Sequence, residues 1–157
     1  MKPGIQVRDL SWVSVAKESE LPQVMNVFNT LLEESEYKKY VPENVEEVIK
    51  DLIKNETLLC LRNEQGGIVG ILAFTIYDNP YILFKKRFAQ ELVWCVLKPY
   101  RKDSKLLIKH YETVAQAMGC TSVMLAAMVS DKSPAIGRMY NSLGYKRSEE
   151  FFEKELI

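Results

Sequence analysis

Apolar positions along the chain follow two periods, one of helices and one of strands. Trp12-Val13-Ser14-Val15-Ala16 alternates and predicts a short first strand. Leu21, Val24, Met25, Phe28, Leu31 and Leu32 recur every three or four residues, which is one face of a helix. Ser19 is placed to cap that helix, with Pro22 in its first turn. Glu33 to Tyr40 is polar and charged, a connection. Val45, Val48, Ile49, Leu52 and Ile53 predict a second amphipathic helix that ends near Lys54-Asn55. Thr57 to Arg62 and Ile68 to Tyr77 are apolar strands on either side of the turn Asn63-Glu64-Gln65-Gly66-Gly67, so they predict a hairpin. Asp78-Asn79-Pro80 breaks the second strand, and Tyr81 to Phe88 reads as an irregular loop with extended pieces.

The second half continues with a strand from Ala89 or Gln90 to Leu97. A helix follows, with Leu107, Ile108, Tyr111, Val114, Ala115 and Met118 on one side and Gly119 at its end. Ser122 to Met128 is a continuous apolar run, the pattern of a buried strand. A helical crossover separates these two strands, so they are expected to be parallel neighbours. Ser133 as N-cap and Pro134 as first residue open a last helix, lined by Ile136, Met139, Tyr140 and Leu143 and ended by Gly144. Tyr145 to Leu156 is expected to form a last strand or pair of strands. The predicted order is βααβββαβαβ. That is an α/β (α+β) fold, a mixed and mostly antiparallel sheet flanked by helices in one domain over residues 1–157.

Charge changes the picture by what it excludes. Lysine plus arginine and aspartate plus glutamate number 21 each, so the net charge does not favour nucleic acid or an acidic membrane surface. No apolar run is long enough to span a bilayer, and Met1 to Leu10 lacks the apolar core of a signal peptide. Cys60, Cys95 and Cys120 are an odd set in apolar surroundings, the single histidine is His110, and no metal-ligand spacing is present. Reduced, buried thiols in a cytoplasmic protein without a metal are the expectation.

Against the neutral background, one short stretch is locally basic. Lys98, Arg101, Lys102 and Lys105 surround the point where the Glu91–Leu97 strand gives way to a helix, and Asp103 or Ser104 can cap that helix. A helix start presents unpaired N–H groups and the positive end of a dipole, which suits a phosphate. A solvated basic turn between a buried strand and an amphipathic helix is the alternative.

These stretches, in this order, resemble the GNAT superfamily of acyl-CoA N-acyltransferases. Glu91-Leu92-Val93-Trp94-Cys95-Val96-Leu97 is similar to the family's fourth strand, Pro99-Tyr100-Arg101 and the following helix to its pyrophosphate loop, and Met139-Tyr140-Asn141-Ser142-Leu143-Gly144-Tyr145 to its late helix signature. The C-terminal half is similar in style to small bacteriophage members. The loop departs from the family pattern, because Lys102-Asp103-Ser104-Lys105-Leu106 lacks the two small positions.

The resemblance implies acetyl-CoA as co-substrate and an amine of a small molecule or protein as acceptor; a homodimer stays open. It implies that the fourth and fifth strands splay apart. Backbone groups near Val96, Leu97 and Lys98 would pair with the pantetheine arm. The N–H groups of Arg101, Lys102, Asp103, Ser104, Lys105 and Leu106 would hold the pyrophosphate, and Ser133 stands where the family often has asparagine. It implies Glu91 as general base and Tyr140 as general acid at the sulfur, with an oxyanion donor among the N–H groups near Leu97. A strand period of two puts Glu91, Val93, Cys95 and Leu97 on one face. Tyr37 to Tyr40, Tyr77 to Phe88 and the C-terminal strands are the stretches in which to look for the acceptor pocket. Two alternatives remain beside the enzyme: a binding module of the same fold that has lost catalysis, and a structural protein with no ligand.

Overall fold

A computed structural model describes residues 12–34, 44–78, 87–127 and 132–156. The expected connection at 35–40, most of the loop at 79–86 and the end of the apolar run at Met128 lie outside the described residues. Backbone packing divides the chain into two compact units, Met1–Leu125 and Ala126–Ile157.

The first unit holds β1 (Val13–Val15), α1 (Leu21–Glu34), α2 (Val45–Lys54), β2 (Leu58–Arg62), β3 (Ile68–Tyr77), β4 (Phe88–Val96), α3 (Ser104–Ala117) and β5 (Ser122–Met124). The strands form one sheet in the order β1-β2-β3-β4-β5. The first three pairings are antiparallel and β4–β5 is parallel, as the crossover helix requires.

Two cores sit on the two faces of this sheet. Val24 and Val27 of α1 and Ile49 and Ile53 of α2 cover Leu58, Cys60, Ile71, Ala73 and Cys95. On the other face α3 contributes Leu107, Ile108 and Tyr111, all fully buried, with the Tyr111 ring 5.0 Å from that of Phe74. Gly70 is required there: a Cβ on it would come within 2.9 Å of Val96 Cγ2 and 3.3 Å of Leu107 Cδ1. The β2–β3 turn is closed by Asn63, whose Oδ1 accepts from the N–H groups of Gln65 and Gly67, with Gly66 at φ +80°.

Helix starts differ from expectation in a consistent way. A 3₁₀ turn, Glu18–Glu20, runs straight into α1, and Lys17 N–H donates to Glu20 Oε1 at 2.9 Å. Ser19 therefore lies inside the turn and is no cap. Glu20 also pairs with Arg62, whose Nε donates to Ser14 Oγ at 2.8 Å, so one guanidinium joins β1, β2 and the start of α1. A second 3₁₀ helix, Lys98–Asp103, precedes α3: Asp103 makes no side-chain cap, Ser104 is the first residue of α3, and Ser104 N–H donates to Arg101 C=O.

The second unit holds α4 (Ser133–Ser142). Lys132 flanks it without a side-chain cap, so Ser133 is the first helical residue and not its N-cap. Gly144, at φ +90°, ends it. Two strand expectations need correction. β5 is three half-buried residues, in keeping with an edge strand that has one neighbour, and Leu125 to Ala127 form no strand. Residues 145–156 form none either, and Phe151, Phe152 and Leu156 are 83%, 93% and 90% exposed. Charged residues there fall on both parities, so no alternation offers a sheet one apolar face. The observed order is βααβββαβα within the expected fold class.

Candidate functional site

A β-bulge in β4 sets the site. Val93 is registered with Ala73, and Glu91 with the next residue, Phe74, so Leu92 is the extra residue in β4. Registered partners share a face, and Ala73 and Phe74 are on opposite faces. Glu91 is thus turned away from Val93 and Cys95. This corrects the expected common face of Glu91, Val93, Cys95 and Leu97. The last three pack in the α1–α2 core, with Cys95 Sγ 3.9 Å from Val27 C=O. The inserted residue inverts the alternation, and Leu92 itself is 48% exposed.

Glu91 is nearly buried, at 9% exposure, on the face of Phe74 and Tyr111. The Tyr111 hydroxyl donates to Met124 C=O at 3.1 Å. Burial pushes the Tyr111 phenol up, its bond to Met124 opposes that, and the negative charge of Glu91 adds to the rise. The β4–β5 register comprises Phe88 with Ser122, Ala89 with Val123 and Gln90 with Met124, and among the described residues it stops there. Glu91 is the first β4 residue beyond the ladder. From it to Val96 the strand is paired with β3 on one side and carries no described strand on the other.

At the far end of β4 the basic stretch is wound and tied down. Leu97 N–H donates to Val69 C=O and Tyr100 N–H to Leu97 C=O, both at 2.9 Å. The Leu97 N–H is therefore taken and is no oxyanion donor. Arg101 Nε donates to Val96 C=O at 3.2 Å, and its Nη2 to Glu34 Oε2 at 2.8 Å. Lys98 Nζ lies 3.7 Å from Glu34 Oε1. Lys102 and Lys105 are exposed and have no ion-pair partner among the described residues. Asp103, Ser104 and Leu106 lie half-buried at the start of α3. The stretch thus presents two open cations and fewer open N–H groups than an unwound loop.

In the second unit, Tyr140 is buried, its hydroxyl donates to Ala126 C=O at 2.7 Å, and its ring stands 6.1 Å from that of Tyr145. Ser133 is half-buried in the first turn of α4.

Other reactive groups are quiet. Burial pushes the Cys60 thiol up to about 12 and the Cys95 thiol up to about 11, so neither is a ready thiolate. Burial lowers the pKa of His110. Among the described residues no group of three or more histidine, cysteine or acidic side chains is placed to hold a metal. Reading the residues alone missed Glu34 and Tyr111. The only signal for Tyr111 was a hydroxyl on an apolar helix face, which needs a partner when buried.

A family model described as acetyltransferase (GNAT) family matches residues 22–145. No curated sequence matches the chain. Solved structures match over nearly their full length. The aminoglycoside antibiotic 6'-N-acetyltransferase AAC(6')-Ih from Acinetobacter baumannii has a TM-score of 0.70 at 20% identity, over 92% of this chain and 97% of that one. Glucosamine-6-phosphate N-acetyltransferase from Arabidopsis thaliana has 0.65 at 13%, over 92% and 97%. AAC(6')-Iy, in complex with a bisubstrate analogue of CoA and acetylneamine, has 0.71 at 14%, over 91% and 97%.

Proposed function

Because this chain belongs to the acetyltransferase (GNAT) family, we propose that it is an N-acyltransferase that moves an acetyl group from acetyl-CoA to an amine of a small molecule or protein. The observation that carries this reading is the Leu92 bulge, which presents a nearly buried Glu91 at the first β4 position past the β4–β5 ladder. The family match runs through both units and supports reading them as one GNAT-like domain.

An ammonium has no free electron pair, so the acceptor must lose a proton before it attacks the thioester carbon. Glu91 takes that proton, directly or through one water. As the carbon–sulfur bond breaks, Tyr140 gives a proton to the departing sulfur. The open β4 edge near Val96, Leu97 and Lys98 receives the amide-bearing arm of CoA as a strand would be received. Lys102 and Lys105 meet its phosphates, beside Lys98 and Arg101, at the start of α3 around Asp103, Ser104 and Leu106, and Ser133 adds a hydroxyl from α4. No described helix is long and apolar enough to cross a membrane, and the free cysteines agree with a reducing, cytoplasmic setting.

The acceptor is proposed by class: the neighbours named above act on amino sugars, and a polar primary amine is the first acceptor to try. Isothermal calorimetry with acetyl-CoA and CoA tests the cofactor, and an acetylation assay on an aminoglycoside, glucosamine 6-phosphate and a lysine peptide tests transfer. No heat at millimolar ligand removes the cofactor claim. A second reading, a binding module without catalysis, is favoured by the 3₁₀ winding of Lys98–Asp103 and the hold of Glu34 on Arg101. CoA binding with no amine acetylated would select it.

A further inference from the structure

We propose that Tyr111 is a positioning residue, whose hydroxyl holds the Met124 carbonyl and so fixes the point where β4 and β5 part and the direction in which Glu91 is presented. Four elements meet at this point. Met124 ends β5 and is registered with Gln90, the residue before Glu91. Phe74 of β3 is the cross-strand partner of Glu91. Tyr111 of α3 is fully buried and touches both sides, with its ring 5.0 Å from that of Phe74 and its hydroxyl 3.1 Å from Met124 C=O.

The chemistry explains why a tyrosine stands on an otherwise apolar helix face. The last carbonyl of a short strand has no further ladder partner, and on half-buried Met124 it is partly shielded from water, so a donor from the protein stabilises it. The phenol supplies that donor. Its ring at the same time backs Phe74, and with it one flank of Glu91. A phenylalanine would fill the same volume and leave the Met124 carbonyl without this bond. The consequence for catalysis rests on the reading of Glu91 as the base; the hold on the fork does not.

Tyr111→Phe in the full chain is the test. Amide hydrogen exchange across Gln90–Val93 and Val123–Leu125 is expected to become roughly twofold to tenfold faster, the worth of one hydrogen bond. Exchange across Leu58–Leu61 is expected to stay as it is. With acetyl-CoA and the acceptor that the wild type acetylates, kcat is expected to fall roughly tenfold to a hundredfold while KM for acetyl-CoA stays within about twofold, as for a displaced catalytic group. A variant that only melts earlier, with exchange and kcat unmoved, makes Tyr111 a packing residue and overturns the proposal. Faster exchange at the fork with an unmoved kcat in an active enzyme overturns its claim on Glu91. If the wild type acetylates none of the panel, the transferase reading falls, and the exchange measurement still decides whether Tyr111 holds the fork.

Discussion

The Arg101 guanidinium lies 2.8 Å from the Glu34 carboxylate, so the arginine of the basic stretch is fastened to the last residue of α1. An arriving phosphate meets that carboxylate as a competitor. Glu34→Gln is expected to tighten CoA binding roughly twofold to fivefold at low salt, the scale of an exposed ion pair. Arg101→Ala is expected to weaken it, and both effects are expected to shrink at high salt. Calorimetry across a salt series measures both. A Glu34→Gln variant that binds CoA no better than wild type at low salt would show that the carboxylate does not compete.

Glu91→Gln keeps the shape of the side chain and removes its ability to take a proton. Acyl transfer is expected to fall roughly a hundredfold or more near neutral pH, within the usual range for a general acid–base group. CoA affinity is expected to change little, because Glu91 and Lys98 lie at opposite ends of the open β4 edge. Equal turnover by wild type and variant would remove Glu91 as the base.

Tyr140→Phe is expected to slow transfer by less than Glu91→Gln does. A thiol has a pKa near ~8.5, so its thiolate is a moderate base and leaves with limited help. The same variant loses the 2.7 Å bond to Ala126 C=O and is expected to melt a little earlier. Thermal melting beside initial rates separates the two effects. A variant with lowered Tm and unchanged rate would leave Tyr140 a structural role only.

Acid stability is expected to depend on Glu20. The hydrogen bond from Arg62 holds its carboxyl below the ordinary value of 4.5, against the opposing effect of burial. A lowered folded-state value contributes stability above the unfolded value, and that stability is lost as pH falls through the folded one. Glu20→Gln removes this dependence. The stability gap between wild type and variant is therefore expected to be widest near neutral pH, to narrow as pH falls below the ordinary value of 4.5, and to close once pH has passed the lower folded-state value and Glu20 itself has taken up a proton. Urea unfolding at several pH values reads the gap, and a gap independent of pH would contradict this.

What was legible in the amino acids, and what was not, follows from how far each signal extends. The bounds of β3 and α2 rest on patterns sustained over many residues, and the parallel pairing of β4 with β5 on the crossover helix between them, and they stand. The caps at Ser19, Asp103 or Ser104, and Ser133 rest on single residues, and backbone turns or flanking positions take their place. The face of Glu91 is not legible in the amino acids, because Leu92-Val93-Trp94-Cys95-Val96 is apolar throughout. An uninterrupted apolar run hides which of its members is extra. The Glu34–Arg101 pair joins residues 67 positions apart, beyond the reach of any local pattern.

The register of β4 has a last consequence, for chain length. Without Leu92, Val93 would still face Ala73 and Glu91 would still face Phe74, now as consecutive rungs of an unbroken ladder. Every inward and outward assignment would survive, and only the local bend would go. Chain length, more than side-chain identity, is then the constrained quantity at position 92: exchanges there leave the bend in place, and a protein one residue shorter keeps both cores while straightening β4 beside Glu91.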